Sequence, residues 1–227
     1  MEAQKPNLIY LHISQPVKPT IKMITEAGII GKIGLNSLGV GVCLNAIVAR
    51  GMDPTRIPVH LGLRMVLDSS SRREAVEKLE RYGVASACHM LVADASGGVG
   101  LEWSSRDVKK VEMNGKGQVF HSNHYLCPHP GVEEVNWWKD SPFRVGRIEE
   151  LAKQVGDEPS MEDVQGMFKD EENVPAAVCR KQEGESNAAT LFSIVMELGE
   201  RVANITLGRP VEPERRIDVE FSPLDPH

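Results

Sequence analysis

Reactive side chains are densest at His121-Ser122-Asn123-His124, with Cys127 and His129 close behind. Read as H-x-x-H-x-x-C-x-H, these residue types could ligate zinc. On an extended strand, however, His121 and Asn123 face one way and Ser122 and His124 the other. Structural zinc needs four convergent ligands. The spacing therefore favours a polar strand end whose side chains are satisfied by loop backbone. A second chemistry is open to Asn123. An amide at a strand end, aimed into a cleft, can donate to the oxyanion that develops on a substrate carbonyl.

The other reactive residues are less informative. Cys43, Cys88, Cys127 and Cys179 lie too far apart for a metal knuckle or a compact disulfide framework. Cys43 and Cys88 sit in apolar runs and read as small buried hydrophobes, and a reducing compartment is the simpler setting. An internal pair of Cys127 with His124 would need an orienting third group. Ser186 stands in Gly184-Glu185-Ser186-Asn187-Ala188, with no strand-turn-helix context for a nucleophile elbow. A loop serine bonding its own backbone explains it equally well. The glycines of Thr20–Val48 are spaced G-x-x-G-x-x-G and then G-x-G, and the run after Gly41 reads as a buried strand. A dinucleotide fingerprint needs G-x-G-x-x-G opening a helix, and a P-loop needs Gly-Lys-Ser/Thr, so neither is present.

These residues need elements to hold them. Strands are expected at 8–13, 20–26, 32–36 and 40–48, with a turn at Asn36–Gly39. Pro58 can open a helix over Val59–Leu67, and a serine of Ser69–Ser71 caps a second, Arg72–Tyr82, stopped by Gly83. The period then changes to two: 86–93, 99–104, 108–113 and 118–122 read as strands, with turns at Asp94–Gly98 and Asn114-Gly115. Residues 128–142 read as a loop carrying Trp137 and Trp138, followed by helices at 143–155 and 161–170, the latter capped by Ser160 and Asp163. A polar, irregular segment follows over 171–186. Hairpin strands at 190–198 and 201–207 and a last strand at 217–221 complete the chain, with 222–227 as a disordered tail. The order is not the regular alternation of a parallel α/β fold. Two stacked antiparallel sheets with a helix pair outside each would bury every apolar face. The fold expected is α+β, a four-layer α-β-β-α sandwich forming one domain over 1–221.

Bulk properties narrow the function classes. The chain has 227 residues, 26% charged, with net charge −6. Scattered Lys and Arg and an acidic balance argue against a nucleic-acid or anionic-membrane surface. No apolar stretch is long enough to span a bilayer, and the first residues do not form a signal peptide. Asp225-Pro226-His227 is no peroxisomal tripeptide.

IKMITEAGIIGKIGLNSLGV, HSNH and CRKQEGESNAATLF resemble the fungal acyl-coenzyme A:isopenicillin N acyltransferase family, within the N-terminal-nucleophile (Ntn) cysteine hydrolases. The resemblance runs from about Asn7 to about Phe221. It implies the four-layer sandwich and a precursor that cuts itself before a Cys. That Cys then carries the acyl group and uses its own α-amino group as base. By this resemblance Asn123 takes the oxyanion position. Ser104 and Ser186 match serines with processing or substrate roles, and Asn187 stands where the family has an active-site arginine. No cofactor is implied; acyl-coenzyme A would be a substrate. Small acyl donors and acceptors are the expected partners, together with the N-terminal fragment of the same precursor. The compartment implied is intracellular, cytoplasmic or peroxisomal. The family's nucleophile and an aspartate lie upstream of TEAGIIGK, whereas here no Cys precedes Cys43. The strand starting at Leu8, almost at Met1, is the look of a chain clipped on its N-terminal side, with its first strand or strands missing. The expectation is the nucleophile-depleted core of a cysteine acyltransferase or amidohydrolase. The alternative is an inactive relative that binds an acyl or peptide-like ligand.

Overall fold

The computed structural model describes residues 2–135, 138–184 and 186–222. The tail expected after Ser222 and Trp137 of the loop lie outside the described residues. After a short 3₁₀ turn, the strands are β1 Leu8–Gln15, β2 Lys18–Glu26, β3 Ile33–Asn36, β4 Gly41–Ala46, β5 Cys88–Asp94, β6 Gly97–Trp103 and β7 Val108–Glu112. They form one antiparallel sheet in chain order, β1 to β7. A second antiparallel sheet, ordered β10-β9-β8, contains β8 Phe192–Glu197, β9 Val202–Arg209 and β10 Glu212–Val219. The helices are α1 Val59–Leu67, α2 Arg72–Tyr82, α3 Ser141–Val155 and α4 Met161–Met167.

Alternation along the strands sorts the layers. On one face of the large sheet, Met23, Val42, Met90, Val92, Leu101 and Trp103 pack with Leu63, Val66 and Leu67 of α1 and Ala75 and Leu79 of α2. On the other face, Ile24 and Leu35 meet Ala203, Ile205 and Val219 of the second sheet. Helix α4 packs beside β8, and α3 against α4. The expected α-β-β-α order is therefore present.

One polar residue pins the glycine-rich stretch. Asn36 is fully buried. Its Nδ2 donates to Leu67 O at 3.0 Å and Ser69 O at 2.7 Å, while its Oδ1 accepts from the backbone N–H of Leu38 and Val40. All four of its hydrogen bonds are made, tying the β3–β4 turn to the end of α1. Gly39 completes that turn at φ +79°, where a side chain is strained.

Several expectations are corrected. Residues 118–122 are not a strand. The Asn114-Gly115 turn does form, with Asn114 Oδ1 accepting from the N–H of Lys116 at 2.9 Å and Gln118 at 3.1 Å. The chain after it does not return along β7. It crosses the inner face of the large sheet, where His121 stacks on His89, and those contacts replace a ladder. The helix expected over 161–170 ends at Met167, and the strand expected at 217–221 runs instead as β10.

Candidate active site

The inner face of the large sheet carries an unusual row. Asn45 on β4 lies opposite His89 on β5, and His89 opposite Glu102 on β6. His89 and Glu102 are buried among apolar strands. His89 Nδ1 lies 2.9 Å from Asn45 Oδ1. The His121 ring stacks on His89 with centroids 3.5 Å apart and planes within 6°. A Cβ at position 100 would come within 2.5 Å of His89 Nε2, so Gly100 gives the ring its place.

Glu102 organises the loop after β7. Its carboxylate oxygens accept from the N–H of Leu126 at 2.6 Å and of Cys127 at 3.0 Å. His121 Nε2 lies 2.8 Å from Oε1, and His129 Nε2 3.4 Å from Oε2. Burial alone would raise the Glu102 pKa, but the bonds from His121 and the two backbone N–H groups outweigh it and hold the carboxyl at about 2. His89 moves the other way from a neutral-pH titration. Burial, then the neighbouring His121, lower it to about 2, so its imidazole is neutral. The chain of contacts continues outward, with His129 Nδ1 2.6 Å from Asp107 Oδ1.

A cavity of about 560 Å³ lies above this row. Its floor is Ile33, Cys43, Asn45, His89 and Leu91 of the large sheet. Its walls are Ile148 of α3, Val164 and Met167 of α4, and Phe192 and Ile194 of β8, with Arg144 and His121 at the polar side. The second sheet ends at β8, whose outer edge borders the cavity.

The structure distributes the sequence-predicted residues unevenly. Asn123 sits beside the cavity residues Ser122 and Arg144. Its Nδ2 donates to Ala46 O at 2.9 Å, its Oδ1 accepts from Arg144 Nη2 at 2.9 Å, and its backbone N–H donates to Ser141 Oγ at 2.6 Å. Ser104 is fully buried away from the cavity. Its hydroxyl donates to Asp107 Oδ1 at 2.6 Å and accepts from the N–H of Arg106 and Asp107, closing the β6–β7 turn. Ser186 Oγ donates to Ala188 O at 3.3 Å, and Asn187 is exposed in the same loop. His121, His124, Cys127 and His129 do not converge. His124 Nδ1 bonds Ser141 Oγ at 2.7 Å, whereas the other two histidines meet Glu102. Among the described residues, no group of three or more His, Cys, Asp or Glu side chains could hold a metal ion.

The four cysteines are free thiols. Cys88 is buried as expected, but Cys43 is half-buried and lines the cavity, a correction to its reading as core. Burial pushes the Cys43 thiol up to about 11, and all four cysteines lie inside the chain, without a free α-amino group. Sequence reasoning missed Asn45, His89, Glu102 and Arg144. For the first three the signal was a polar residue interrupting each of three apolar strands; only the register shows that they share one row. Nothing local marks Arg144.

Residues 2–212 match the family described as acyl-coenzyme A:6-aminopenicillanic acid acyl-transferase. A relative in Emericella nidulans, the 40 kDa form of acyl-coenzyme A:6-aminopenicillanic-acid-acyltransferase, is 44% identical over 226 residues. The match covers 98% of this chain but 63% of that protein, so the chain spans less than two thirds of its relative's length. Among solved structures, penicillin V acylase from Agrobacterium tumefaciens superposes with TM-score 0.67 at 14% identity, over 96% of this chain and 78% of that one. A variant of conjugated bile acid hydrolase from Clostridium perfringens gives 0.60 at 14% identity, covering 96% and 90%. These two likenesses show the fold, an Ntn-hydrolase-like pair of stacked antiparallel sheets. With the family match across nearly all of its length and a relative this similar, the chain belongs to the acyl-coenzyme A:6-aminopenicillanic acid acyl-transferase family.

Proposed function

We propose that this chain is the core of a cysteine Ntn acyltransferase or amidohydrolase whose nucleophilic Cys lies on an upstream segment continuous with it in the full-length form. The observation that supports this best is Asn123. Its amide is hydrogen-bonded at both ends beside an apolar cavity, as an oxyanion donor requires. The free edge of β8 along that cavity is where an added strand would place a nucleophile over the floor. No internal cysteine can use its own α-amino group as base, and the Cys43 thiol, raised to about 11 by desolvation, resists ionisation.

In the proposed reaction the segment's thiol sulfur attacks an amide or thioester carbonyl. Its proton passes to the segment's α-amino group, and Asn123 donates to the oxyanion. As the C–N or C–S bond breaks, that proton goes to the departing amine or thiol, leaving a thioester. Water or an amine then attacks the thioester and restores the thiol. The cavity's apolar walls suit the acyl portion of the substrate. The free thiols fit a reducing intracellular setting, cytoplasmic or peroxisomal. Among the described residues, no helix is long and apolar enough to cross a membrane.

The test is expression of the chain extended by the family's upstream segment. Mass spectrometry should find two pieces, the larger beginning with Cys, and Asn123→Ala should lower turnover by roughly 10²–10³. An extended chain that stays intact yet binds an acyl amide would establish the inactive binding relative instead. Normal turnover in Asn123→Ala would remove Asn123 from the reaction.

A further inference from the structure

We propose that Arg144 is a positioning residue that acts through Asn123, fixing its amide and strengthening the N–H it presents. This rests on the reading of Asn123 as the oxyanion donor. The hydrogen bonds of Asn123 determine its orientation from two independent directions. Arginine has only donors, so the atom it meets at 2.9 Å is Oδ1. A backbone carbonyl only accepts, so the atom 2.9 Å from Ala46 O is Nδ2. Either contact alone would forbid the flipped amide, and both agree. Nδ2 carries two N–H groups. One is taken by Ala46 O, and no acceptor among the described residues is paired with the other, which the proposal gives to the ligand.

Arg144 is itself held from behind. Its Nε donates to Asp140 Oδ2 at 2.7 Å, and Asp140 also pairs with Arg180. Arg180 in turn lies over the Trp138 ring, 4.2 Å from its centroid. The arginine side chains are only 14% exposed, so these charges are largely removed from water. Two guanidinium groups share one carboxylate, which leaves an excess positive charge behind the amide. A cation bonded to Oδ1 draws electron density from the amide and makes Nδ2–H a stronger donor, an effect that grows where the local dielectric is low. His124 also faces this region through Ser141, and burial first, then His121 and Arg144, favour its neutral form. The charge behind the amide therefore comes from Arg144 and Arg180.

Two measurements test the inference. In the 227-residue chain, the side-chain NH₂ pair of Asn123 should give two separate nitrogen-15-resolved proton signals. Arg144→Met should shift both upfield and bring them together, while Arg144→Lys, which keeps a donor and a charge, should move them less. An unchanged pair in Arg144→Met overturns the proposal. In the self-processed extended chain, Arg144→Met should lower kcat by roughly 10- to 100-fold with KM little changed. In an Asn123→Ala background the same substitution should do almost nothing further. Additive losses would show that Arg144 acts elsewhere, leaving the role of Asn123 standing. Full turnover in Asn123→Ala alone would instead overturn the reading on which the inference rests. Thermal midpoints measured alongside separate these effects from loss of fold.

Discussion

Leu101 and Glu102 are adjacent on β6 and both fully buried, but they face opposite sides of the large sheet. Leu101 enters an apolar layer shared with α1 and α2, where burial of hydrocarbon supplies the stability. Glu102 enters the inner face, where a charge removed from water is tolerated only because His121 and two backbone N–H groups reach it. The outer face would accept many apolar sequences of similar volume. The inner face is specific, since each member of its row needs the next. This division leaves one side to hold the fold and the other to carry the candidate site.

The largest test of this contrast is Glu102→Ala. It would leave His121, His129 and the N–H groups of Leu126 and Cys127 without their acceptor. Removing one partner of a buried charged cluster costs roughly 3–5 kcal/mol. Urea unfolding should show a loss of that size, and the loop holding Asn123 should lose its protection from amide exchange. A loss below about 1 kcal/mol would mean that Glu102 does not organise the loop. On the other face, Leu101→Ala should cost about 2–5 kcal/mol through lost contacts and a residual cavity. It should leave the Asn123 loop as protected as before. If both substitutions loosened that loop equally, the two faces would not be separable.

Much of this division could be read from the sequence. The alternation of apolar residues gave the strands, the serine caps gave α2 and α4, and the element order gave the layers. Asn123 stood out as an amide among histidines. What escaped was non-local. Glu102 looked like one polar residue before Trp103 until the register set it opposite His89. Residues 118–122 carried strand-like residues after a strong turn signal, but stacking of His121 on His89 outweighed pairing with β7. Local propensity carries no information about which distant ring a segment will meet. Arg144 was invisible for the same reason, since its partners Asn123 and Asp140 mean nothing until α3 is docked.

The smallest expected effect concerns His89, and its sign follows from linkage. In the folded protein this ring binds a proton only near pH 2, whereas an unfolded histidine does so near 6.5. Between those values the unfolded state holds the extra proton, so stability rises with pH across the window. The contribution is complete above pH 6.5 and is lost progressively on acidification. Glu102 adds a loss of the same sign, but only below its ordinary value of 4.5, so measurements between pH 7 and pH 5 exclude it. His124, also held below its ordinary value, contributes in this window to both proteins, so the difference between them reports His89. Each pH unit below 6.5 should remove about 1 kcal/mol, with 1.36 as the limit for one proton. His89→Gln keeps a donor for Asn45 but cannot take up a proton. Its urea midpoint should therefore fall less steeply than that of the unsubstituted chain over this range. Parallel slopes would mean that the ring is reached by water in the folded state, and that the inner face is not closed beneath His121.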